Sequence, residues 1–314
     1  MTTPPNTPGP GTGTGTGAGA ATALAPAPGR LEVDLGTDRW RVARHVLRDR
    51  LGLTGAVLLV LVVGAAVLAP LLAPHPPAQV HFETPFQQPR TVGFPLGTDD
   101  LGRDVLSRVL FGARASLQVG VLAVALSVVV GTALGMAAGY WRRLDGVVSR
   151  LTDVALAFPF LVLAVGLAAI RGASLSNAAI ALGVAHVPQV VRVVRAETLR
   201  LKGADYVLAA RTMDASGARI LATHVLPNAL PAVVVQATVI MPAVVIGEAL
   251  LSFLGLGVQP PTPSLGIMLS DAQQYIFRAP SAALFPGLAI VLICLAFNLL
   301  GDALRDALDP GGSR

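Results

Sequence analysis

The stretch DYVLAARTMDASGARILATHVLPN, residues 205–228, is an island of charge and turn chemistry between long apolar runs. Arg211, Asp214, Arg219 and His224 recur at helical spacing, a turn is expected around residues 214–217, and Leu226-Pro227 opens the next apolar segment. The pattern reads as a water-facing helix-turn-helix. On either side lie apolar segments at about 177–195 and 229–256, and working further outward gives four more, at about 51–73, 116–140, 152–170 and 284–301. Each is close to the roughly 20 residues that a helix needs to cross a bilayer. The reading is an all-α integral membrane protein with six transmembrane helices.

Composition supports that class. Hydrophobic residues make up 53% of the 314, charged residues only 13%, and the mean hydropathy is +0.67, whereas soluble domains carry about 25% charged residues. The net charge of +5 does not point to nucleic acid, because the basic residues are scattered between apolar runs without an aromatic-basic surface pattern. With an amino terminus in the cytosol, 17 of the 23 Lys and Arg residues fall on the inner side, the bias expected of cytoplasmic loops. Both termini and residues 205–228 are then cytoplasmic, in a multi-pass protein of the cell membrane. Residues 1–30, built largely from Pro, Gly, Thr and Ala, are expected to form a disordered tail rather than a signal peptide.

Several classes of chemistry are absent from the sequence. The one lysine, Lys202, is not in a phosphate-binding Gly-Lys-Ser/Thr context, so no P-loop is present. A single cysteine, Cys294, excludes an internal disulfide or a cysteine metal cluster. The five histidines are dispersed, and no catalytic residues, metal site or cofactor held by this chain is expected. Gly131, Gly135 and Gly139 recur every four residues and so share a helix face, where they permit close approach of a second helix. Pro159, Pro188 and Pro242 interrupt apolar segments and are expected to kink them. Glu248 is the acidic residue deepest in an apolar run, and the sequence leaves open whether it lines a translocation path or is a structural partner. A self-sufficient carrier or channel that uses Glu248 and His186 is the alternative on these residues alone.

Residues 205–228 resemble the cytoplasmic coupling loop, the EAA loop, of binding-protein-dependent ABC importer permeases. Ala209 and Ala210 match the alanine pair, and Leu226-Pro227 match the close of the pattern. Leu208 stands where glutamate is usual, and Asp214 where the turn glycine is usual. The segments PLGTDDLGRDVLSRVLFGARASL (95–117), AAGYWRRLDGVVSRLTDVALAFPFLVLA (137–164), EALLSFLGLGVQPPTPSLGIML (248–269) and PGLAIVLICLAFNLLGDALRDALDP (286–310) resemble the dipeptide, oligopeptide and nickel branch of these permeases, in its C-type subunit; Leu265 departs from the usual tryptophan. The resemblance implies the type I importer permease fold: a cytoplasmic lead-in and first helix over 31–73, an extracytoplasmic segment over 74–115, a five-helix core over 116–302 with its coupling loop at about 196–228, and a cytoplasmic tail over 303–314. It further implies a second homologous permease subunit, two ATPase subunits that bind ATP and Mg, and an extracytoplasmic substrate-binding protein, with peptides as cargo. The coupling residues it implies are Asp205, Tyr206, Ala209, Ala210, Arg211, Met213, Asp214, Gly217 and Pro227. On a helix, Tyr206, Ala209, Ala210 and Met213 are expected to share one docking face, and Asp214 and Ser216 to cap the next helix.

Overall fold

The computed structural model describes Arg44 and residues 46–308. The expected disordered tail, most of the lead-in and residues 309–314 lie outside the described residues. Helix α1 spans Arg50–Val67 and is started by Asp49, whose carboxylate accepts a hydrogen bond from the Gly52 N–H at 2.7 Å; a short turn of helix, α2, follows at Ala69–Leu72. After an irregular segment come α3 (Val105–Tyr140), α4 (Arg142–Ala157), α5 (Phe160–Arg171) and α6 (Leu175–Leu201). The charged island holds α7 (Asp205–Thr212) and α8 (Gly217–Ile220), and one π-helical turn (Leu221–Val225) leads into α9 (Leu226–Phe253). Helices α10 (Leu265–Ala272) and α11 (Ser281–Leu308) complete the described residues, which contain no β-strand.

Among the described residues, five helical segments are long and apolar enough to cross a membrane: α1, α3, α6, the continuous 217–253 run and α11. The expected third span differs. At Phe158-Pro159 the chain bends by 93°, dividing 142–171 into α4 and the apolar α5 of 12 residues. Pro159 begins α5 where its missing N–H costs no bond, and Phe158 before it is extended, so the break is local proline sterics. Pro188 and Pro242, in contrast, lie inside unbroken helices. Helix α3 also starts eleven residues before the expected 116, because the Asp104 carboxylate caps it by accepting from the Ser107 N–H at 3.0 Å. Its 36 residues extend about 54 Å, well beyond ~30 Å of hydrocarbon. The end near Val105 therefore stands outside the membrane.

The glycine row sets the main helix contact. Helices α3 and α6 run parallel, with Gly131 against Val190, Gly135 against Val194 and Gly139 against Thr198. A Cβ at Gly131 or Gly139 would lie within 2.6 Å of the facing Cβ, so only glycine admits this approach. Near the same ends of these helices, Arg195 of α6 grips Asp145 of α4 through two hydrogen bonds, one of them 3.0 Å.

The segment between α2 and α3 is held to the rest by buried charge. Asp99 accepts from the Leu101 and Arg103 N–H groups at 3.0 and 2.9 Å and from the guanidinium groups of Arg103 and Arg108. Both arginines also lie within 3.6–3.7 Å of Asp271 on α10. Burial pushes the Asp271 carboxyl up, against the pull of Arg108 and Arg103.

Candidate functional site

The charged island folds as a small unit with its own core. Leu201, Val207, Ala210, Ile220, Leu221, Val225 and Ala229 are buried together, and Met136, Tyr140 and Ala215 pack against them. Tyr140, the last residue of α3, is the platform. A Cβ at Gly217 would lie 2.8 Å from the Tyr140 ring, and the Arg211 guanidinium stacks over that ring at 5.0 Å. Lys202 adds a hydrogen bond from Nζ to the Gly139 carbonyl at 2.8 Å. The unit is thereby fastened to the ends of α3 and α6 and runs without a break into α9.

Its turn has an identifiable mechanism. Asp214 has φ of 57°, its N–H donates to the Arg211 carbonyl at 3.0 Å, and the Ala215 N–H donates to the Ala210 carbonyl at 3.1 Å. This pair of bonds closes α7 as a Schellman motif with the left-handed residue at C′. Aspartate tolerates that conformation better than most non-glycine residues, which accounts for Asp214 at the position of the usual glycine. Ser216 caps α8 by accepting from the Arg219 N–H at 3.4 Å. The expected pair of capping oxygens is therefore corrected: Ser216 caps, and Asp214 makes the turn through its backbone. The Asp214→Gly variant should transport normally and unfold within about 1 kcal/mol of the parent, whereas Asp214→Val places a branched side chain at positive φ and should lower both uptake and thermal stability.

The π turn precedes Pro227 for a similar local reason. Proline supplies no N–H and crowds the carbonyl one turn back, and widening that turn relieves the conflict without ending the helix.

The expected docking face is also corrected. Ala210 is 3% exposed and turned into the unit's own core, while Ala209 is exposed. Adjacent helical residues lie about 100° apart, so the two alanines cannot serve one surface. What faces outward together is Tyr206, Ala209 and Met213, while Leu208 and Arg211 are exposed elsewhere around the helix. Met213 is 76% exposed and Leu208 45%. Asp205 is exposed at the start of α7, and Gly217 and Pro227 are partly covered within the unit. The sequence reading gave Tyr140 and Lys202 no part in this unit; their signal was an aromatic and a lone lysine at the C-terminal ends of two helices.

Glu248 lies apart from this unit and is fully buried. One carboxyl oxygen accepts from Ser252 at 2.8 Å and Ser264 at 3.0 Å, and the other from Ser116. Ser252 and Ser264 in turn accept from the N–H groups of Val258 and Gly266, each at 3.2 Å. The residue thus joins α3, α9 and the approach to α10. His186 is likewise buried, its Nδ1 2.8 Å from the Leu182 carbonyl oxygen and the Phe160 ring 5.0 Å away. Glu248 bonds to the three serines and His186 to the Leu182 carbonyl, and among the described residues no hydrogen bond joins the two. Leu265 fills a core position with Ala113, Leu117, Met241, Val245 and Ile293, against Gly112.

Residues 127–313 match the model of the binding-protein-dependent transport system inner membrane components, and residues 39–89 match the N-terminal transmembrane domain of oligopeptide transport permease C. The chain belongs to this permease family. It is the membrane-spanning permease component of an ABC importer, a class that works with ATPase and substrate-binding partners. It is 42% identical over 273 residues to the dipeptide transport system permease protein DppC of Alkalihalophilus pseudofirmus, covering 86% of this chain and 90% of that one. It is 43% identical over 277 residues to the di/tripeptide permease DppC of Pseudomonas aeruginosa, with the same coverage. To the glutathione permease GsiD of Escherichia coli it is 41% identical over 271 residues, covering 85% and 88%.

Proposed function

We propose that this permease forms, with a second homologous subunit, the path by which short peptides enter the cell, and that ATPase subunits drive it by docking on α7. The observation that carries the coupling is the outward face Tyr206, Ala209 and Met213. It is an apolar patch on a charged, water-facing segment, and such patches mark protein contacts. The small core behind it, seated on Tyr140, lets a push on α7 reach α3 and α9 as a rigid-body movement. ATP and Mg are held by two ATPase subunits, an extracytoplasmic protein delivers the substrate, and this chain has no catalytic role. The peptide cargo follows from the relatives, which are named for dipeptides, di/tripeptides and glutathione. Both termini and α7 are cytoplasmic.

The test combines orientation with transport. The outer probe is placed at the exposed Thr262. In intact cells Thr262→Cys should react with an impermeant thiol reagent, and Asp205→Cys only after the membrane is opened. Proteoliposomes that contain all subunits should take up labelled dipeptide when ATP is inside and the binding protein is added. Labelling of both positions from one side, or equal uptake by this chain alone, would overturn the reading.

A further inference from the structure

One surface feature plays no part in coupling. A groove of about 570 Å³ opens between α1, α3, α11 and the start of α6, lined by Val63, Val67, Arg114, Gln118, Val121 and Leu122 among others. Its size is within the roughly 300–1,000 Å³ typical of ligand sites. Arg114, Gln118, Val121 and Leu122 follow one another at helical spacing along α3, so the groove is polar at one end and apolar at the other.

The depth of Arg114 identifies that polar end. From Tyr140 back to Arg114 is 26 residues, about 39 Å of helix, so the guanidinium lies past the ~30 Å of hydrocarbon that begins at the coupling side. Helix α1 gives the same level independently: Ala66, next to its last residue, packs with Ala113 and Leu117. Arg114 therefore stands at headgroup height in the leaflet opposite α7, while Val121 and Leu122 descend into the acyl region. The ion pairs among the described residues use Arg103, Arg108, Arg192, Arg195 and Arg200, and Arg114 enters none of them. A basic group at that depth, with no counter-charge in an ion pair among the described residues, above an apolar trough, matches an anionic phospholipid in both its parts.

We propose that this groove is a phospholipid site, in which Arg114 and Gln118 hold the phosphate and one acyl chain lies along Val121, Leu122 and Val63. The bound lipid would fill the space between α1 and α3 and act as a wedge that keeps the first helix at its working angle.

The assembled, purified transporter is titrated by native mass spectrometry with phosphatidylglycerol, with diacylglycerol of the same chains, and with glycerol 3-phosphate. Phosphatidylglycerol should bind and the two fragments should not. Arg114→Gln should weaken retention roughly fivefold, the scale of one basic side chain at an anionic surface, and Arg114→Lys should restore most of it. Leu122→Trp fills the trough from an exposed position and should exclude the lipid even if Arg114→Gln does not assemble. Unchanged retention in Arg114→Gln or in Leu122→Trp, binding of glycerol 3-phosphate alone, or efficient disulfide capture of Val121→Cys by the second permease subunit would each overturn the assignment, the last by showing that protein covers the groove.

Discussion

Ala209→Trp is expected to abolish peptide uptake and substrate-stimulated ATP hydrolysis while leaving insertion and the fold intact. Ala209 is exposed at the centre of the outward face of α7, between Tyr206 and Met213 one helical turn to either side. An indole there stands several ångströms proud of the surface and holds a partner groove away from the helix. A central contact of this kind carries about 2 kcal/mol or more of binding, so coupling should fall at least roughly thirtyfold. Nothing inside the permease is displaced, since the side chain points to solvent. Ala210→Trp should also stop transport, but by a different route. Ala210 sits among Val207, Ile220, Leu221 and Val225, and forcing an indole into a closed core costs roughly 1–3 kcal/mol. Limited proteolysis separates the two: trypsin should cut near Arg211 and Arg219 in the Ala210 variant and leave the Ala209 variant resistant. Normal uptake by Ala209→Trp would show that the segment is a solvated connector.

That contrast also shows where reading the sequence succeeds and where it stops. The spans at α1, α3, α6, α9 and α11 were legible because lipid imposes a demand that each segment satisfies alone, about 20 apolar residues in a row. The glycine row was legible for a related reason: spacing by four defines a face whatever it packs against. Which alanine of the pair faces outward was not legible, since the answer depends on Ile220 and Val225, ten and fifteen residues later, folding back over α7. The departure of Asp214 from glycine became intelligible only with its φ of 57° and the two hydrogen bonds that close α7. The break at Phe158-Pro159 was visible as a proline, but so were Pro188 and Pro242, which lie inside unbroken helices, and the proline alone gave no sign of a 93° bend. Around Glu248 the sequence offered a lone acid in an apolar run and gave no means of pairing it with serines 132 positions upstream and 16 downstream.

The serines decide what Glu248 is expected to do. A group on the transport path has to present itself to water or substrate, but this carboxyl is fully buried within its own chain and both its oxygens are occupied by hydroxyl donors. It acts as a knot: cutting it frees Ser252 and Ser264, whose oxygens hold the backbone N–H groups that shape the turn after α9 and the start of α10. The site cannot relax by collapse, because α10 already lies against α9 so closely that a Cβ at Gly266 would be 2.0 Å from the Ala249 carbonyl oxygen. Glu248→Ala should therefore strand three hydroxyls, each costing on the order of 1–3 kcal/mol, and greatly reduce the amount of assembled transporter and its thermal stability. Glu248→Gln keeps the volume and an oxygen for Ser252 and Ser264, and its amide can donate to Ser116, whose own hydroxyl can turn to the carbonyl one helical turn back. It should assemble at near-parental yield and retain most of its uptake. A permease in which Glu248→Gln assembles and melts like the parent but no longer transports would place Glu248 on the path and refute the structural role.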